Sequence, residues 1–201
     1  HVEFFKLQIL YRRIVDKAYN AGYALAMAGD SSGKAIIQIN DKTAWTTTNV
    51  ADNAWHLLTG TYDGSNVRIY VDGALQGTTA YVGTITPNAY NLSIGINQST
   101  SVGGEAFNGS IDEVAIYNKA LTQAEIQALM NTKLTGTESG LVAYYSFDDG
   151  TATDNSNNNN DGIMYNGVSI AYPGETINET FFTPDNLPLP SDYTTDNNWV
   201  T

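Results

Sequence analysis

Two closely spaced Asp-Gly pairs constrain the fold of this chain more than any other feature of its sequence. Asp63-Gly64 and Asp72-Gly73 each separate segments that are rich in β-branched and aromatic residues. Asp and Gly tolerate the positive φ angles of the tight turns that join antiparallel strands. The sequence therefore predicts a three-stranded meander that includes residues 55–62 and 67–71.

The central strand of this meander shows how the sheet is buried. Val67, Ile69 and Val71 share one face, whereas Arg68 and Tyr70 share the other. Such alternation is typical of an antiparallel sheet that packs on a core with one face only. Further strands are predicted near residues 23–27, 35–40, 90–96 and 110–117.

One short helix is predicted near the end of this region, over residues 122–130. Thr122 can cap the first free amides, and Glu125 can reach back to the cap. Ile126, Leu129 and Met130 then form a short apolar stripe. Together these elements predict an all-β fold, an antiparallel β-sandwich with one short C-terminal helix.

Composition limits the size of the fold and the kinds of partner. The 201 residues, of which 42% are hydrophobic, suffice for one sizeable sandwich plus an attachment. A net charge of -12 argues against nucleic acid, because phosphates would be repelled. No apolar run approaches the length of a membrane span. The chain has no cysteine, so the sequence says nothing about its redox compartment.

Several ordered motifs resemble a known family. They are Trp55-His56, residues 61–64, 67–73, 107–118 and 120–126. In this order they are similar to the laminin-G-like domain of the concanavalin A-like lectin/glucanase superfamily, over about residues 14–131. The resemblance implies a jelly-roll sandwich and places Trp55 in its core.

A second, partial resemblance follows the first. Residues 140–148 and 154–162 look like the opening of another such domain, with a first strand and then a polar loop. Either the chain is a piece of a tandem array, or this segment packs back and supplies a strand that the first module lacks. We favour the tandem array, which is compatible with packing back because a sheet that lacks an edge strand is open to pairing.

These resemblances predict three regions. Residues 1–136 would form a laminin-G-like sandwich without its N-terminal strands, and residues 137–171 would open a second module or complete the first. Residues 172–201 contain four prolines among Asn, Asp and Thr, and we expect an extended linker or arm there.

The sequence gives little support for an enzyme. Retaining glucanases of the related kind need two carboxyl groups about 5 Å apart on one strand face. Asp112 and Glu113 are the nearest candidates, but adjacent residues of a strand point to opposite faces. We therefore predict that the protein is not an enzyme.

Oxygen-rich positions suggest a structural Ca²⁺ ion. We expect Asp112 to lie on a strand face with Val114 and Ile116, where a carboxylate needs a partner. The resemblance implies a calcium ligand at this strand, and Asp154 and Asp161 in the Asn-rich loop would contribute further oxygens. Two simpler readings stay open: a carboxylate bound by backbone amides, and a solvated turn.

Aromatic and amide side chains suggest where a glycan would bind. Aromatic rings stack on the apolar face of a sugar while amides bind its hydroxyl groups. Trp45 lies in a polar surround, and Tyr81, Tyr90 and Asn97 flank later loops, so these four are the predicted ligand-binding residues. His56 is interpreted as a structural hydrogen-bonding group.

Two functions of different class remain open. The first is a non-catalytic carbohydrate-binding or adhesion module of a larger secreted or surface protein, with a glycan or cell-surface polysaccharide as its partner. The second is a structural repeat of a filament, sheath or surface layer that joins neighbouring copies by strand or arm exchange. In both cases we expect an extracellular or cell-surface location, in a prokaryote.

Overall fold

A computed structural model describes residues 12–18, 21–30, 32–97 and 105–165. Ten strands and one helix occur in this part of the chain. They are β1 (Arg12–Lys17), β2 (Tyr23–Met27), β3 (Ala35–Ile39), β4 (Lys42–Trp45), β5 (Leu58–Tyr62), β6 (Asn66–Val71), β7 (Ala74–Ala80), β8 (Ser93–Ile94), β9 (Val114–Tyr117), α1 (Gln123–Leu129) and β10 (Leu141–Tyr145).

The strands form three antiparallel sheets that make up two layers. A five-stranded sheet has the order β4-β3-β2-β1-β8, and the other sheets are β5-β6-β7 and β10-β9. One cluster of buried side chains joins β3 to β6 and includes Ile37, Ile39, Val67 and Ile69. A second cluster joins β1 and β8 to β9 and β10. The predicted antiparallel β-sandwich is confirmed.

The two-residue turn between β6 and β7 has the predicted geometry. Asp72 and Gly73 have φ angles of 49° and 71°, so both lie in the left-handed region that this turn requires. The carbonyl oxygen of Gly73 accepts hydrogen bonds from the side chains of Gln123 and Gln127. The turn is thereby attached to helix α1.

Helix α1 begins as the sequence predicts. The hydroxyl of Thr122 accepts a hydrogen bond from the backbone nitrogen of Glu125 at 3.3 Å, and the Glu125 carboxylate accepts one from the Thr122 backbone at 2.6 Å. These reciprocal bonds satisfy amides that the first turn leaves free. Ile126 is fully buried and anchors the helix to the sandwich.

Two strands are shorter than predicted. The 90–96 segment pairs only at Ser93–Ile94, and the 110–117 segment begins at Val114. Glu113 has a φ angle of 54°, which no regular strand accommodates. The prediction that Asp112 shares an apolar strand face with Val114 is therefore wrong, and both acidic residues are exposed.

Strand β10 pairs antiparallel with β9, which is the pairing that a packed-back segment would make. Among the described residues, its other edge is covered by the Asn-rich loop (residues 154–161) and not by another strand. The carbonyl oxygen of Val142 accepts hydrogen bonds from Asn158 and Asn160 at 3.0 and 2.9 Å. The backbone nitrogen of Tyr144 donates to Asp154. The loop therefore satisfies with side chains the groups that a neighbouring strand would bind.

Several predictions lie outside the described residues. The proposed arm, 172–201, is one of them, as is most of the N-terminal segment. The division of the chain at residues 136 and 171 stays a prediction. Within the described part of the chain, no helix combines the length and apolarity that crossing a bilayer requires.

Candidate functional site

A groove of about 400 Å³ opens at one end of the sandwich. Its base includes Met27 and Val50, which belong to or pack against the main core cluster. We call it the Trp55 groove. It is lined by Met27, Val50, Ala51, Asn53, Ala54, Trp55, Phe107, Asn108, Gly109 and Ser110.

Trp55 lines this groove. The prediction that it lies in the core is wrong. It is 69% exposed. The cause is the local backbone: the Asp52 carboxylate accepts a hydrogen bond from the backbone of Ala54 at 3.0 Å, and Asn53 has a φ angle of 65°. This Asx-type turn breaks the extended chain just before Trp55 and directs the loop away from the sheets.

Phe107 is a second aromatic residue that lines the groove. Its backbone nitrogen donates to the carbonyl oxygen of Gly95 at 2.7 Å, which fixes it beside β8. Gly109 lies directly against this ring, because a Cβ atom there would approach Phe107 Cε1 to 2.7 Å. The missing side chain at residue 109 therefore leaves room beside the ring.

A histidine between two carboxylates ties the Trp55 loop to the β6–β7 turn. His56 Nδ1 lies 2.8 Å from Asp72 Oδ2, and His56 Nε2 lies 3.1 Å from Asp52 Oδ1. The hydrogen bond that the ring makes to the Asp72 carboxylate, and then the one to Asp52, raise the pKa of His56 above its ordinary value. The Asp72 carboxylate also accepts a hydrogen bond from the backbone nitrogen of Leu57 at 2.9 Å. The backbone nitrogen of Asp72 donates one to the carbonyl oxygen of Leu57 at 3.0 Å.

The chemistry of the groove suits an uncharged, hydroxyl-rich ligand. Among the described residues that line it, none is charged, and the polar groups are the amides of Asn53 and Asn108, the hydroxyl of Ser110 and the backbone. Two aromatic rings with nearby amides provide an apolar stacking surface and hydrogen-bonding groups in one concavity. The volume falls within the usual range for small-ligand sites.

The four predicted ligand-binding residues lie on different parts of the molecule. Trp45 is at the end of β4, paired with Ile36, and is 39% exposed. Tyr81 follows β7 and stacks on Tyr62 with ring centroids 5.4 Å apart. Its hydroxyl also accepts a hydrogen bond from Asn40, so Tyr81 has a structural environment.

The remaining two residues of that set differ in exposure. Tyr90 is 52% exposed, and its carbonyl oxygen accepts a hydrogen bond from Lys17. Asn97 is buried and donates to the carboxylate of Glu105. None of the four lines the Trp55 groove. Their role in ligand binding stays a prediction.

The carboxylates of the calcium prediction accept hydrogen bonds from backbone nitrogens. Asp112 is exposed, and its carboxylate accepts a hydrogen bond from the backbone of Glu113 at 3.0 Å. Asp161 accepts one from the backbone of Asp154 at 2.9 Å. In the described ranges, no group of three or more His, Asp and Glu side chains is arranged to hold a metal ion. Calcium binding stays a prediction.

The Asp154 carboxylate is fully engaged with its own loop and with β10. Oδ1 accepts from the backbone nitrogens of Tyr144 and Ser156, each at 2.9 Å. Oδ2 accepts from the Asn160 backbone at 2.8 Å and from the Ser156 hydroxyl at 2.9 Å. Burial raises the pKa of Asp154, but these donors outweigh it and the net pKa is lowered. The Asp154 carboxylate is therefore bound mainly by backbone amides.

A second concavity, of about 320 Å³, lies between the end of α1 and Glu113. The hydroxyl of Tyr144 donates to the Glu113 carboxylate there, and Lys133 pairs with Asp148. Burial and the Glu113 contact raise the pKa of Tyr144 far above its ordinary value. Both ionisable residues that line it, Glu113 and Lys133, thus have partners, and its described lining includes no aromatic ring.

Comparisons with known proteins agree with the fold. Among solved structures, a proposed carbohydrate binding protein from Bacteroides ovatus is similar, with a TM-score of 0.58 and 20% identity. The match covers 69% of this chain but only 41% of that protein, so the chain spans less than half of its length. At this identity the likeness shows the fold alone.

Other comparisons add less. An S-layer domain-containing protein (residues 221-444) from Clostridium thermocellum matches over 64% of this chain and 67% of that one, at 20% identity and a TM-score of 0.33. A likeness this low supports no inference. Among curated proteins, none matches.

The sequence itself matches one protein family over residues 8–127, which is more than half of the chain. That family is the laminin-G-like group described as the concanavalin A-like lectin/glucanases superfamily. The matched range contains the meander, the Trp55 loop, Phe107 and the cap of helix α1. This chain therefore belongs to the laminin-G-like family of the concanavalin A-like lectin/glucanase superfamily.

Proposed function

We propose that the protein is a non-catalytic carbohydrate-binding module and that its Trp55 groove holds a neutral glycan. The observation that carries this proposal is a Trp side chain, 69% exposed, that lines the same concavity as Phe107, where none of the described lining residues is charged. Exposing an indole ring to water is unfavourable. Exposed apolar surface of this kind marks a site that a ligand or partner covers.

The charge around the groove favours a neutral ligand over an acidic one. Asp52 and Asp72 lie next to the loop that carries Trp55, and the chain as a whole has a net charge of -12. Uronic acid and sulfated glycans would be repelled by this field, with no lining cation among the described residues to offset it. A neutral pyranose would not be repelled.

A binding screen with two matched Trp variants tests the proposal. Affinity electrophoresis against laminarin, agarose, xylan and alginate would compare the wild type with Trp55→Ala and Trp45→Ala. We expect retardation by at least one neutral polysaccharide, weakened by at least about tenfold in Trp55→Ala and within about twofold of wild type in Trp45→Ala. The anionic alginate should cause no retardation.

Two outcomes would contradict this assignment. Loss of binding in Trp45→Ala with full binding in Trp55→Ala would place the ligand on the outer side of β4. Binding to alginate alone would contradict the neutral class of ligand. Thermal melting of each variant serves as the control, since both side chains are exposed and neither replacement should lower the melting temperature appreciably.

The wider setting of the module is also a proposal. We propose that it belongs to a secreted or surface protein and contributes to adhesion through its glycan ligand. The alternative of a structural repeat that exchanges strands has less support, because the outer edge of β10 is already bound by the Asn-rich loop. Surface labelling of intact source cells with an antibody to this chain would test the location.

A further inference from the structure

The loop that presents Trp55 is held by a single ionisable bridge. His56 is the residue after Trp55, and it contacts Asp52 on its own loop and Asp72 on the β6–β7 turn. Its side chain is only 18% exposed, whereas those of the two carboxylates are 50% and 41% exposed. The bridge thus joins the segment that forms one wall of the groove to the rigid hairpin.

We propose that protonated His56 is the positioning residue of the Trp55 groove, so that the affinity of the groove for glycan falls when rising pH removes the second proton from the ring. This inference rests on the proposed function. It concerns the regulation of the same site and assigns no contact between His56 and the ligand.

The argument begins with the hydrogen-bonding capacity of imidazole. A carboxylate only accepts hydrogen bonds, so both ring nitrogens of His56 must carry a proton if both contacts are to be favourable. Neutral imidazole keeps one proton, and its other nitrogen would then present a lone pair to a carboxylate. Loss of the second proton therefore breaks one of the two contacts.

The geometry indicates which contact breaks. The Asp72 contact is shorter, at 2.8 Å against 3.1 Å for Asp52. Asp72 is also fixed by Leu57 and by its place in the turn, whereas Asp52 belongs to the loop itself. The neutral form is therefore expected to keep the Asp72 contact and release Asp52, so that the turn over residues 52–55 keeps its own Asp52–Ala54 hydrogen bond but loses its link to the His56 ring.

The charged neighbours of His56 all act in one direction. Asp52 and Asp72 are the ionisable groups that face it, and both favour the protonated ring. From helix α1, which packs on the same turn, the described side chains that bond to Gly73 are the neutral amides of Gln123 and Gln127. Because the folded pKa is raised, the bridge is complete below about pH 6.5 and is lost as the pH rises through the folded value.

The first test follows Trp55 without any glycan. The double variant Trp45→Phe, Trp199→Phe leaves Trp55 as the only Trp of the chain. Acrylamide quenching of its fluorescence should increase between about pH 5.5 and about pH 8.5 as the loop is released. Adding His56→Gln or Asp52→Asn to this variant should make quenching independent of pH over that range. Unchanged quenching in the parent variant would overturn the proposal.

The second test measures binding to the neutral polysaccharide that wild type retains. We expect wild-type affinity to fall by about threefold or more over the same pH range. A threefold loss corresponds to about a third of the molecules keeping the bridged, binding-competent loop. His56→Gln should bind with the weaker affinity at both pH values. A wild-type pH dependence that persists in both His56→Gln and Asp52→Asn would overturn the proposal.

The two tests separate this inference from the proposed function. If quenching titrates with His56 but no glycan binds, the positioning role stands and the proposed function fails. If glycan binds through Trp55 with the same affinity at both pH values, the function stands and the positioning role fails. Melting temperatures of the variants at the lower pH show whether each remains folded.

Discussion

The Oδ1 atom of Asp154 lies 2.9 Å from the backbone nitrogen of Tyr144, at the edge of β10 that no strand of the described chain covers. A side chain thus takes the place of a neighbouring strand. Asn158 and Asn160 do the same for the carbonyl oxygen of Val142. The Asn-rich loop therefore has a structural role, since an unpaired edge is open to association with other chains.

Replacing Asp154 should destabilise the fold. In Asp154→Asn one carboxylate oxygen becomes an NH₂ group, which cannot accept the hydrogen bonds that the loop and β10 donate. Leaving buried amides unpaired costs about 2 kcal/mol, so the free energy of unfolding should fall by that order. Urea denaturation would measure the change, with the exposed loop residue in Asn157→Ala as the control. Equal stability of Asp154→Asn and wild type would contradict the capping role.

The same residue predicts a pH dependence of stability in acid. The folded pKa of Asp154 is lowered, so its contribution is present above the unfolded value of about 3.9 and is lost as the pH falls through the folded pKa. Melting temperatures recorded from about pH 6 down to about pH 3 should therefore converge for wild type and Asp154→Asn. If the two plots of melting temperature against pH stay parallel, the charge of the Asp154 carboxylate does not cause the difference in stability.

Removing the caps from Val142 should promote self-association. The double variant Asn158→Ala, Asn160→Ala removes the two amide donors of this carbonyl and leaves it the longer hydrogen bond from the Ser156 hydroxyl, at 3.3 Å. We expect a concentration-dependent dimer that pairs through β10, measured by light scattering after size exclusion, with Asn157→Ala again as the control. A variant that elutes like the control at every concentration would show that the loop is not needed to block pairing.

Calcium binding at Asp112 stays a prediction with a direct test. Although Asp112 as a residue is exposed, loss of hydration at its carboxylate raises its pKa, and the nearby Asp148 adds to the effect, which a bound cation would reverse. A bound ion would stabilise the fold by about 2.7 kcal/mol at a hundredfold excess over Kd. EDTA should then lower the melting temperature of the metal-loaded wild type and leave Asp112→Asn unchanged. A full calcium response in Asp112→Asn would exclude this position.

The absence of hydrolytic activity is a further expected outcome. Asp112 and Glu113 precede β9 on an irregular segment, and Glu113 is bonded to the Tyr144 hydroxyl. This arrangement does not provide the opposed acid and nucleophile of a retaining hydrolase. Incubation with laminarin, agarose, xylan and alginate should release no reducing ends. Activity that disappears in Glu113→Gln would contradict the account.

Much of the fold could be predicted because its determinants are local. The Asp72-Gly73 turn and the Thr122 cap depend on the conformations of a few adjacent residues, and both have the predicted geometry. The start of β9 could not be predicted, because Glu113 takes a left-handed conformation while it contacts Tyr144, a residue far along the chain. Propensity does not report such contacts.

The candidate site was harder to predict, and the reason is specific to Trp55. Its family motif suggested a core position, yet exposure depends on the direction of the loop, which the Asp52 turn sets. A local signal was present: Asp52-Asn53 stands directly before Trp55 and is strongly turn-forming. Polar residues lie close to Trp45 on both sides, whereas Trp55 is followed by a histidine and two leucines, which favoured a buried interpretation. Phe107 could not be placed beside it without the fold.

Fluorescence titration of two single-Trp variants with a soluble neutral glucan tests the central claim most directly. One variant keeps only Trp55 and the other, Trp55→Phe with Trp199→Phe, keeps only Trp45. If the Trp55 groove is the glycan site, the first variant should show a saturable change in emission and the second should show none. A saturable change confined to the Trp45 variant, or none in either with every neutral glycan that is tried, would contradict the account.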